Sequence, residues 1–268
     1  MIEIAILLGC IAALCWFSLA TWSRLGGKSR HRRLVVLRVG AAASVSAFAV
    51  LGFAWQLSRS REFQLLGQSV ARVEGARKTV ALTIDDGPTA AHTEQVLAIL
   101  RQYGVRATFF VIGSELERNL DGGRAIVRDG HELGNHTYSH RRMLGSSLTF
   151  IKDELETTDR LIRAVGYQGP IYFRPAYGKR FILLPYYLRM THRTSVLWDI
   201  EPESYPDIAG SRERIVQHVL DHVRPGSIIL LHVMYDSRAA SRAALPDIIK
   251  GLQSRGYELV TISSLLAR

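Results

Sequence analysis

The sequence predicts an α/β fold built on a parallel sheet and preceded by two membrane-spanning helices. Three observations predict it. From about residue 78 onward, apolar runs typical of strands alternate about seven times with segments of helical periodicity. The polar motifs of this region follow the strand-like runs directly, where the loops of a parallel sheet converge. The first 57 residues contain two apolar segments long enough to cross a bilayer.

The two N-terminal apolar segments are residues 2–22 and 34–57, with one charged residue each, Glu3 and Arg38. Each is about 20 residues long, which spans about 30 Å of hydrocarbon. The loop 23–33 between them is rich in arginine, so the positive-inside rule predicts that it is cytoplasmic. Both termini would then lie outside. We expect the rest of the chain on the periplasmic or extracellular side of a bacterial cell membrane.

Two other readings of the N-terminal region stay open. Residues 31–49 have the pattern of a signal peptide cut near Ala49, which would still export the domain. The run LLGC, which ends at Cys10, faintly suggests a lipoprotein processing site, but the positively charged leader of such a signal is absent. In each case the domain that follows is expected outside the cytoplasm.

The formal net charge of +10 belongs to the N-terminal region. Residues 1–78 contain 11 Lys and Arg against 3 Asp and Glu, whereas the remaining residues contain 23 against 21. We therefore expect no nucleic-acid partner, because the later residues lack a phosphate-binding excess of positive charge. Both cysteines, Cys10 and Cys15, lie in the first apolar segment, which excludes a disulfide framework or Cys-ligated zinc in the domain.

Residues 58–77 are polar and basic and are expected to form a linker or juxtamembrane helix, so the domain is expected to span residues 78–268. The runs expected to form its strands are TVALTI, ATFFVI, HELGNH, IYFRP, TSVLWDI, GSIILLH and YELVTI. Segments with 3.6-residue periodicity, such as TEQVLAILRQYG and RERIVQHVLDHV, separate them.

Two motifs after these runs carry the residues of a metal site. TIDDGP contains Asp85 and Asp86, and HTYSH contains His136 and His140. One carboxylate and two imidazoles can hold a divalent cation with positions left for water and substrate, and the second carboxylate is then free to act as a base. Adjacent aspartates reach one site only if the strand ends there, which the following glycine and proline favour. Two histidines four residues apart share a face if the backbone turns helically. Taken alone, TIDDGP is also consistent with a solvated turn.

A second histidine pair provides an internal control. His218 and His222 have the same spacing, but the apolar residues around them form a helical stripe on the other face. We therefore expect this pair on the solvated face of a helix, with no metal.

Two further polar residues follow strand-like runs. Arg174 lies in FRPAYG, where a surface salt bridge is an equally open reading. His232 follows four apolar residues in IILLH, so a buried histidine there would require a polar partner.

Together these motifs resemble the NodB-type polysaccharide deacetylases, carbohydrate esterase family 4. TIDDGP, HTYSH, FRPAYG and LLH are similar to the first, second, third and fifth motifs of that family, in order, and the resemblance covers about residues 78–266. It implies a distorted (β/α) barrel with fewer than eight strands. It also implies metal-dependent hydrolysis of N-acetyl groups from a glycan that contains N-acetylglucosamine, such as peptidoglycan or chitooligosaccharide, with release of acetate.

The resemblance also implies roles for individual residues. Three residues would bind the metal: Asp86, His136 and His140. Asp85 would be the base and His232 the acid, while Arg174 would orient Asp85 and the backbone N–H of Tyr177 would face the oxyanion. The implied metal is Zn²⁺, and Co²⁺ or Ni²⁺ also suits such ligands.

The fourth motif departs from the family pattern. Where the family often has Asp followed by Trp, the segment WDIEPESYPD places Ser204 and Tyr205. The family aspartate is thought to tune the acidic histidine, so the partner of His232 is open among four acids: Asp199, Glu201, Glu203 and Asp207. Ala176 also replaces the usual second proline of the third motif.

Two alternative functions therefore stay open, a glycan-binding member of the fold that does not cleave, and an amidohydrolase that acts on a non-sugar amide. Three aromatic residues beside the motifs could stack on sugar rings or belong to the core: Tyr138, Trp198 and Tyr205.

Overall fold

The structure is a computed structural model, and it describes residues 38–49, 52, 56 and 66–268. Residues 38–49 are helical. Within the described part of the chain, no helix is both long enough and apolar enough to cross a membrane. The predicted span 2–22 and the basic loop 23–33 lie outside the described residues, and the predicted span 34–57 is described only in part.

The chain divides into two compact units, residues 1–57 and 58–268. The second unit is built around a five-stranded parallel sheet with β2 (Thr79–Asp85) at its centre. β3 (Thr108–Val111) and β6 (Ile228–His232) pair with the two sides of β2, and β4 (Glu132–Asn135) pairs with β3. β7 (Glu258–Val260) pairs with the first residues of β2. Every residue of β2 is buried, as expected for a strand covered on both faces.

A second, two-stranded element joins this sheet into a distorted barrel. β1 (Ser69–Val70) and β5 (Ser195–Val196) are parallel partners. Isolated bridges from Phe173 to Asn135 and Ser195, and from Ile200 to Ile229, continue the hydrogen-bonded circuit from β4 back to β6. The α/β architecture with a parallel sheet therefore agrees with the prediction.

Two details of the prediction were wrong. The run IYFRP forms only the bridge at Phe173, because Pro175 has no N–H to continue a ladder. The predicted linker 58–77 also ends too late, since β1 already belongs to the domain and the Val73 N–H donates to the carbonyl of Gly226 at 3.0 Å. Val70 and Val73 pack against an apolar cluster of the domain, which explains why this segment is held.

The helices of the second unit connect and cover the strands. They are α1 (Thr93–Gln102), α2 (Gly113–Arg118), α3 (Leu120–Arg128), α4 (Leu148–Ala164), α5 (Leu183–Met190), α6 (Pro206–Ala209), α7 (Arg212–His222), α8 (Ala239–Ser254) and α9 (Ile262–Leu266). Three strands end in polar residues at the same edge of the sheet: Asp85 on β2, Asn135 on β4 and His232 on β6. The loops at this edge build the candidate site.

Candidate active site

The two adjacent aspartates both reach the site because the strand ends between them. Asp85 is the last residue of β2, and Asp86 leaves the strand in the left-handed region with φ 72°. Its N–H donates to the carbonyl of Phe110 at 3.1 Å. A left-handed backbone at a residue other than glycine costs on the order of 1–3 kcal/mol, and such strain clusters at functional sites. Both carboxylates line the same cleft.

The two histidines of HTYSH converge through a loop and not through the helical turn that their spacing suggested. β4 ends at Asn135, and Thr137 and His140 have φ values of 69° and 55°. The His140 N–H donates to the Thr137 hydroxyl oxygen at 3.0 Å, and the His136 and His140 rings lie 4.9 Å apart. Left-handed residues, and not a helical turn, bring the two imidazoles together within one loop.

A buried carboxylate on α4 holds this loop. Glu154 Oε2 accepts hydrogen bonds from the N–H groups of Tyr138 and Ser139 at 3.0 and 2.8 Å. Asn135 Oδ1 accepts another from the Thr137 N–H at 2.9 Å. The sequence analysis missed Glu154, since it lies in an ordinary amphipathic helix and no motif marks it. Its spacing on the buried face of α4 is the available signal.

Asp86, His136 and His140 fit a divalent cation. One ligand atom from each lies within 4.8 Å of the others. His140 Nε2 and His136 Nε2 are 3.6 and 4.0 Å from Asp86 Oδ1, an oxygen that is buried without a hydrogen-bond partner. His136 Nδ1 lies 2.8 Å from the carbonyl of Arg174, so Nδ1 carries the proton and Nε2 offers its lone pair. An orphaned carboxylate oxygen facing two such nitrogens is the donor set of a metal site.

The surroundings also set the charge of these groups. Burial raises the pKa of Asp86 above its ordinary value, although nearby His232 and His136 oppose this change. Burial, and then the neighbouring His136, lower the pKa of His140 to about 4. His140 is therefore a neutral imidazole at physiological pH, as a metal ligand must be.

Arg174 holds the second aspartate. The guanidinium is fully buried, and its Nη1 donates to Asp85 Oδ1 at 2.6 Å and to the Thr83 hydroxyl at 2.9 Å. Nε and Nη2 donate to the carbonyls of Val196 and Leu197, both at 3.0 Å. The guanidinium also lies 4.0 Å from the centre of the Phe110 ring. Arg174 is thus no surface salt bridge, and it presents Asp85 in one orientation.

Tyr177 forms part of the cleft wall. It lies in a 3₁₀ turn, Ala176–Gly178, with a left-handed φ of 58°. Its side chain is 53% exposed and its ring lies 4.7 Å from the His140 ring. The turn therefore places the Tyr177 side chain beside a residue of the metal-binding group. The role of its N–H toward an oxyanion stays a prediction.

His232, at the end of β6, faces this cleft and is paired with Glu203. The His232 N–H donates to Glu203 Oε1 at 2.9 Å, and His232 Nδ1 is 3.3 Å from Glu203 Oε2. Burial alone would lower the pKa of His232. The hydrogen bond and charge of Glu203, together with Asp85 and Asp86, outweigh burial and raise it to about 9.

One cleft of about 410 Å³ is lined by the metal-binding group, Asp85 and His232, together with Tyr177, Trp198 and Arg238. The three aromatic residues suggested as sugar platforms have different surroundings. Trp198 is buried and its Nε1 donates to Glu201. The Tyr138 hydroxyl donates to Glu117, and Tyr205 is 49% exposed with its ring 4.9 Å from that of His218.

The control pair lies on α7 as expected. The His218 and His222 rings stack 4.3 Å apart, and His222 is exposed. Across the part of the chain that the structure describes, Asp86, His136 and His140 are the only three-ligand group close enough to hold a metal. Equal sequence spacing therefore leads to different environments.

The chain is similar to known proteins of one family. The family model for polysaccharide deacetylase matches residues 72–188. The chain is 32% identical over 206 residues to a peptidoglycan-N-acetylglucosamine deacetylase of Bacillus cereus, which covers 77% of this chain and 96% of that protein. It is 30% identical over 207 residues to a chitooligosaccharide deacetylase of Azorhizobium caulinodans, covering 73% and 97%.

A solved structure has the same fold. The structure of a CE4-family pseudoenzyme from Bacillus anthracis aligns with a TM-score of 0.65 at 28% identity, and the alignment covers 74% of this chain and 68% of that chain. The Bacillus cereus relative is 32% identical and is covered over 96% of its length, which shows the family. The chain belongs to the polysaccharide deacetylase family, carbohydrate esterase family 4.

Proposed function

We propose that this chain is a metal-dependent deacetylase that removes N-acetyl groups from an N-acetylglucosamine-containing glycan of the bacterial envelope. One observation carries the proposal. The metal-binding group, the Arg174-held carboxylate of Asp85 and the Glu203-held imidazole of His232 line the same cleft. A base and an acid on either side of a metal site are the groups that amide hydrolysis requires.

Asp86, His136 and His140 would hold the cation, and Zn²⁺, Co²⁺ or Ni²⁺ suits their donor atoms. When bound, the cation supplies Lewis acidity, which polarises the substrate carbonyl and lowers the pKa of bound water towards about 7. The remaining steps belong to side chains of this chain.

Asp85 is placed to take the proton of the attacking water. Arg174 holds its Oδ1, while its Oδ2 lies 3.6 Å from His136 Nε2 beside the metal-binding group. The water oxygen bonds to the carbonyl carbon as its proton passes to Asp85. The Tyr177 N–H would then stabilise the negative oxygen of the tetrahedral carbon, a contribution of about 3 kcal/mol for one well-aimed donor.

His232 completes the hydrolysis. Its Nδ1 is paired with Glu203, which leaves Nε2 to donate a proton to the nitrogen of the leaving amine. Protonation makes the amine a competent leaving group, so the C–N bond breaks. The products are acetate and a glucosamine unit, and the proton held by Asp85 balances the proton given by His232.

The substrate class is proposed from the relatives and the cleft. Two relatives are named for peptidoglycan N-acetylglucosamine and for chitooligosaccharide. The exposed ring of Tyr177 at the cleft offers an aromatic face to a sugar. Of these glycans, peptidoglycan fits best with an envelope location of the chain, which is proposed next.

We also propose that residues 2–22 and 34–57 anchor the chain in a bacterial cell membrane, with the catalytic domain, from β1 to residue 268, outside. The support is the apolar character of both segments and the basic loop 23–33. Fractionation of cells that express the full chain tests the anchor. Protease added outside intact spheroplasts should then digest the domain, whereas resistance until lysis would contradict the orientation.

The activity test is acetate release by the purified full chain from peptidoglycan, chitooligosaccharide and poly-N-acetylglucosamine, side by side. We expect release from at least one glycan, loss of release with a chelator, and recovery with Zn²⁺, Co²⁺ or Ni²⁺. Release that persists at full rate after removal of all metal would contradict metal dependence.

A second candidate is a glycan-binding member that does not cleave. The altered fourth motif favours it, and a pseudoenzyme of this family has the same fold. Binding of a glycan by metal-loaded protein without any acetate release would support this candidate. Acetate release from simple N-acetyl amides, but from none of the three glycans, would instead favour an amidohydrolase.

A further inference from the structure

The departure in the fourth motif raises the question of what orients His232. The histidine side chain is 18% exposed, and the only carboxylate hydrogen-bonded to it among the described residues is that of Glu203. The Glu203 side chain is 2% exposed, although it comes from a short 3₁₀ turn, Pro202–Ser204. Its two oxygens contact two different atoms of His232, the backbone N–H and Nδ1. These two contacts fix both the end of β6 and the orientation of the His232 imidazole.

Two of the other candidate acids are engaged elsewhere. Asp199 accepts from the Ser227 hydroxyl and from the Ile228 N–H, both at 2.8 Å, so it ties the start of β6. Glu201 accepts from Trp198 Nε1 at 2.8 Å and from the Ser204 hydroxyl. Neither carboxylate is hydrogen-bonded to His232 in the structure.

Asp207 and Ser204 complete the set. Asp207 is exposed on α6. Ser204, which stands where the family resemblance places an aspartate, donates its hydroxyl to Glu201. The carboxylate that meets the histidine therefore comes from the preceding residue. Glutamate is one methylene longer than aspartate, and this length lets a carboxylate from position 203 reach Nδ1.

We infer that Glu203 is the positioning residue of the acid, replacing an aspartate at position 204, and that it holds His232 with Nδ1–H toward Glu203 and Nε2 toward the cleft. This inference deepens the proposed function and rests on it for the role of His232. A buried carboxylate beside the ring also favours the protonated imidazole. The other acidic groups that face His232 are Asp85 and Asp86, across the cleft on β2 and just after it.

The test compares the full chain with three variants, Glu203→Gln, Asp207→Asn and the double variant Glu203→Ala/Ser204→Asp. Glu203→Gln keeps the shape of the side chain but removes its charge. Asp207→Asn is the matched control, because it removes the same charge from an exposed position of the same segment. Unchanged metal content and thermal unfolding show which variants are folded.

The first readout is independent of activity. Histidines labelled with ¹⁵N report the tautomer and the pKa of His232 by NMR, with the His232→Gln spectrum as assignment. In Glu203→Gln we expect the pKa to move from about 9 towards the ordinary value of about 6.5, with Nδ1 no longer locked as the protonated nitrogen. Asp207→Asn should leave both unchanged. An unchanged pKa and tautomer in Glu203→Gln would overturn the inference.

The second readout is acetate release as a function of pH. Glu203→Gln should lower kcat more than it changes KM, and it should move the alkaline loss of activity to lower pH. The double variant should recover part of the lost kcat and part of the lost activity at alkaline pH, because Ser204→Asp returns a carboxylate to the turn. If the NMR changes occur but the wild-type chain releases no acetate, the proposed function fails while the positioning role stands.

Discussion

The two sides of the cleft are built differently. On the base side, Asp85, Asp86 and Arg174 are buried, and Arg174 of the third motif donates to Asp85 of the first. On the acid side, His232 depends on Glu203, which comes from a short turn followed by exposed Ser204 and Tyr205. A rigid constellation can be recognised from its motif letters. A side chain that reaches in from an altered loop is recognised only from its contacts.

Removal of a metal ligand should have the largest effect on metal binding and activity. We expect His140→Ala to lose the metal and with it nearly all acetate release, since only His136 then faces the unpartnered oxygen of Asp86. Metal content and activity of the purified chain measure this. The matched control is His222→Ala, a member of the other histidine pair with the same spacing, which should change neither. Full metal occupancy in His140→Ala would refute the ligand assignment.

The next largest effect is expected from a change in the base, Asp85, that leaves the metal ligands in place. Asp85→Asn should retain the metal but lower kcat by about 10²–10⁴-fold, because the amide cannot accept the proton of the attacking water. Acetate release by a metal-loaded variant measures the loss. Activity close to that of the wild-type chain would show that another group is the base.

A smaller effect concerns the support of the metal side. Glu154→Gln weakens the carboxylate that holds the N–H groups of Tyr138 and Ser139, and so loosens the loop that carries His140. We expect metal affinity to fall by about 10–100-fold, as for other residues that orient ligands. Competition with a chelator of known affinity measures it. Unaltered affinity would mean that the loop is held by Thr137 and Asn135 alone.

The smallest effect lies on the acid side and concerns the dependence of activity on pH. His232 must be protonated to act as the acid, and its pKa is raised to about 9. Activity should therefore persist through neutral pH and fall as the pH rises through about 9. Without Glu203, the pKa of His232 would fall, because burial would then be opposed only by Asp85 and Asp86. A pH profile of kcat/KM that already falls near neutral pH would contradict the pairing.

Much of the site could be predicted from the sequence. TIDDGP, HTYSH, FRPAYG and LLH each end a strand or a strand-like run, so the fold brings them to one edge regardless of loop detail. The internal contrast between the two histidine pairs was also predictable, because the apolar stripe of α7 assigns its buried face.

The rest could not be predicted, for physical reasons that differ between cases. The loop of His136 and His140 depends on left-handed residues such as Thr137, which an i, i+4 spacing does not indicate. Glu154 acts from sequence-distant α4. Four acids surround the fourth motif, and only the folded loop decides which of them reaches His232.

Arg174 has a consequence for how accurately the site is built. Its side chain holds Asp85, and its own carbonyl holds His136. A single residue therefore connects the proton acceptor, Asp85, to a metal ligand, His136. A displacement of Arg174 would thus move the proton acceptor and one metal ligand together.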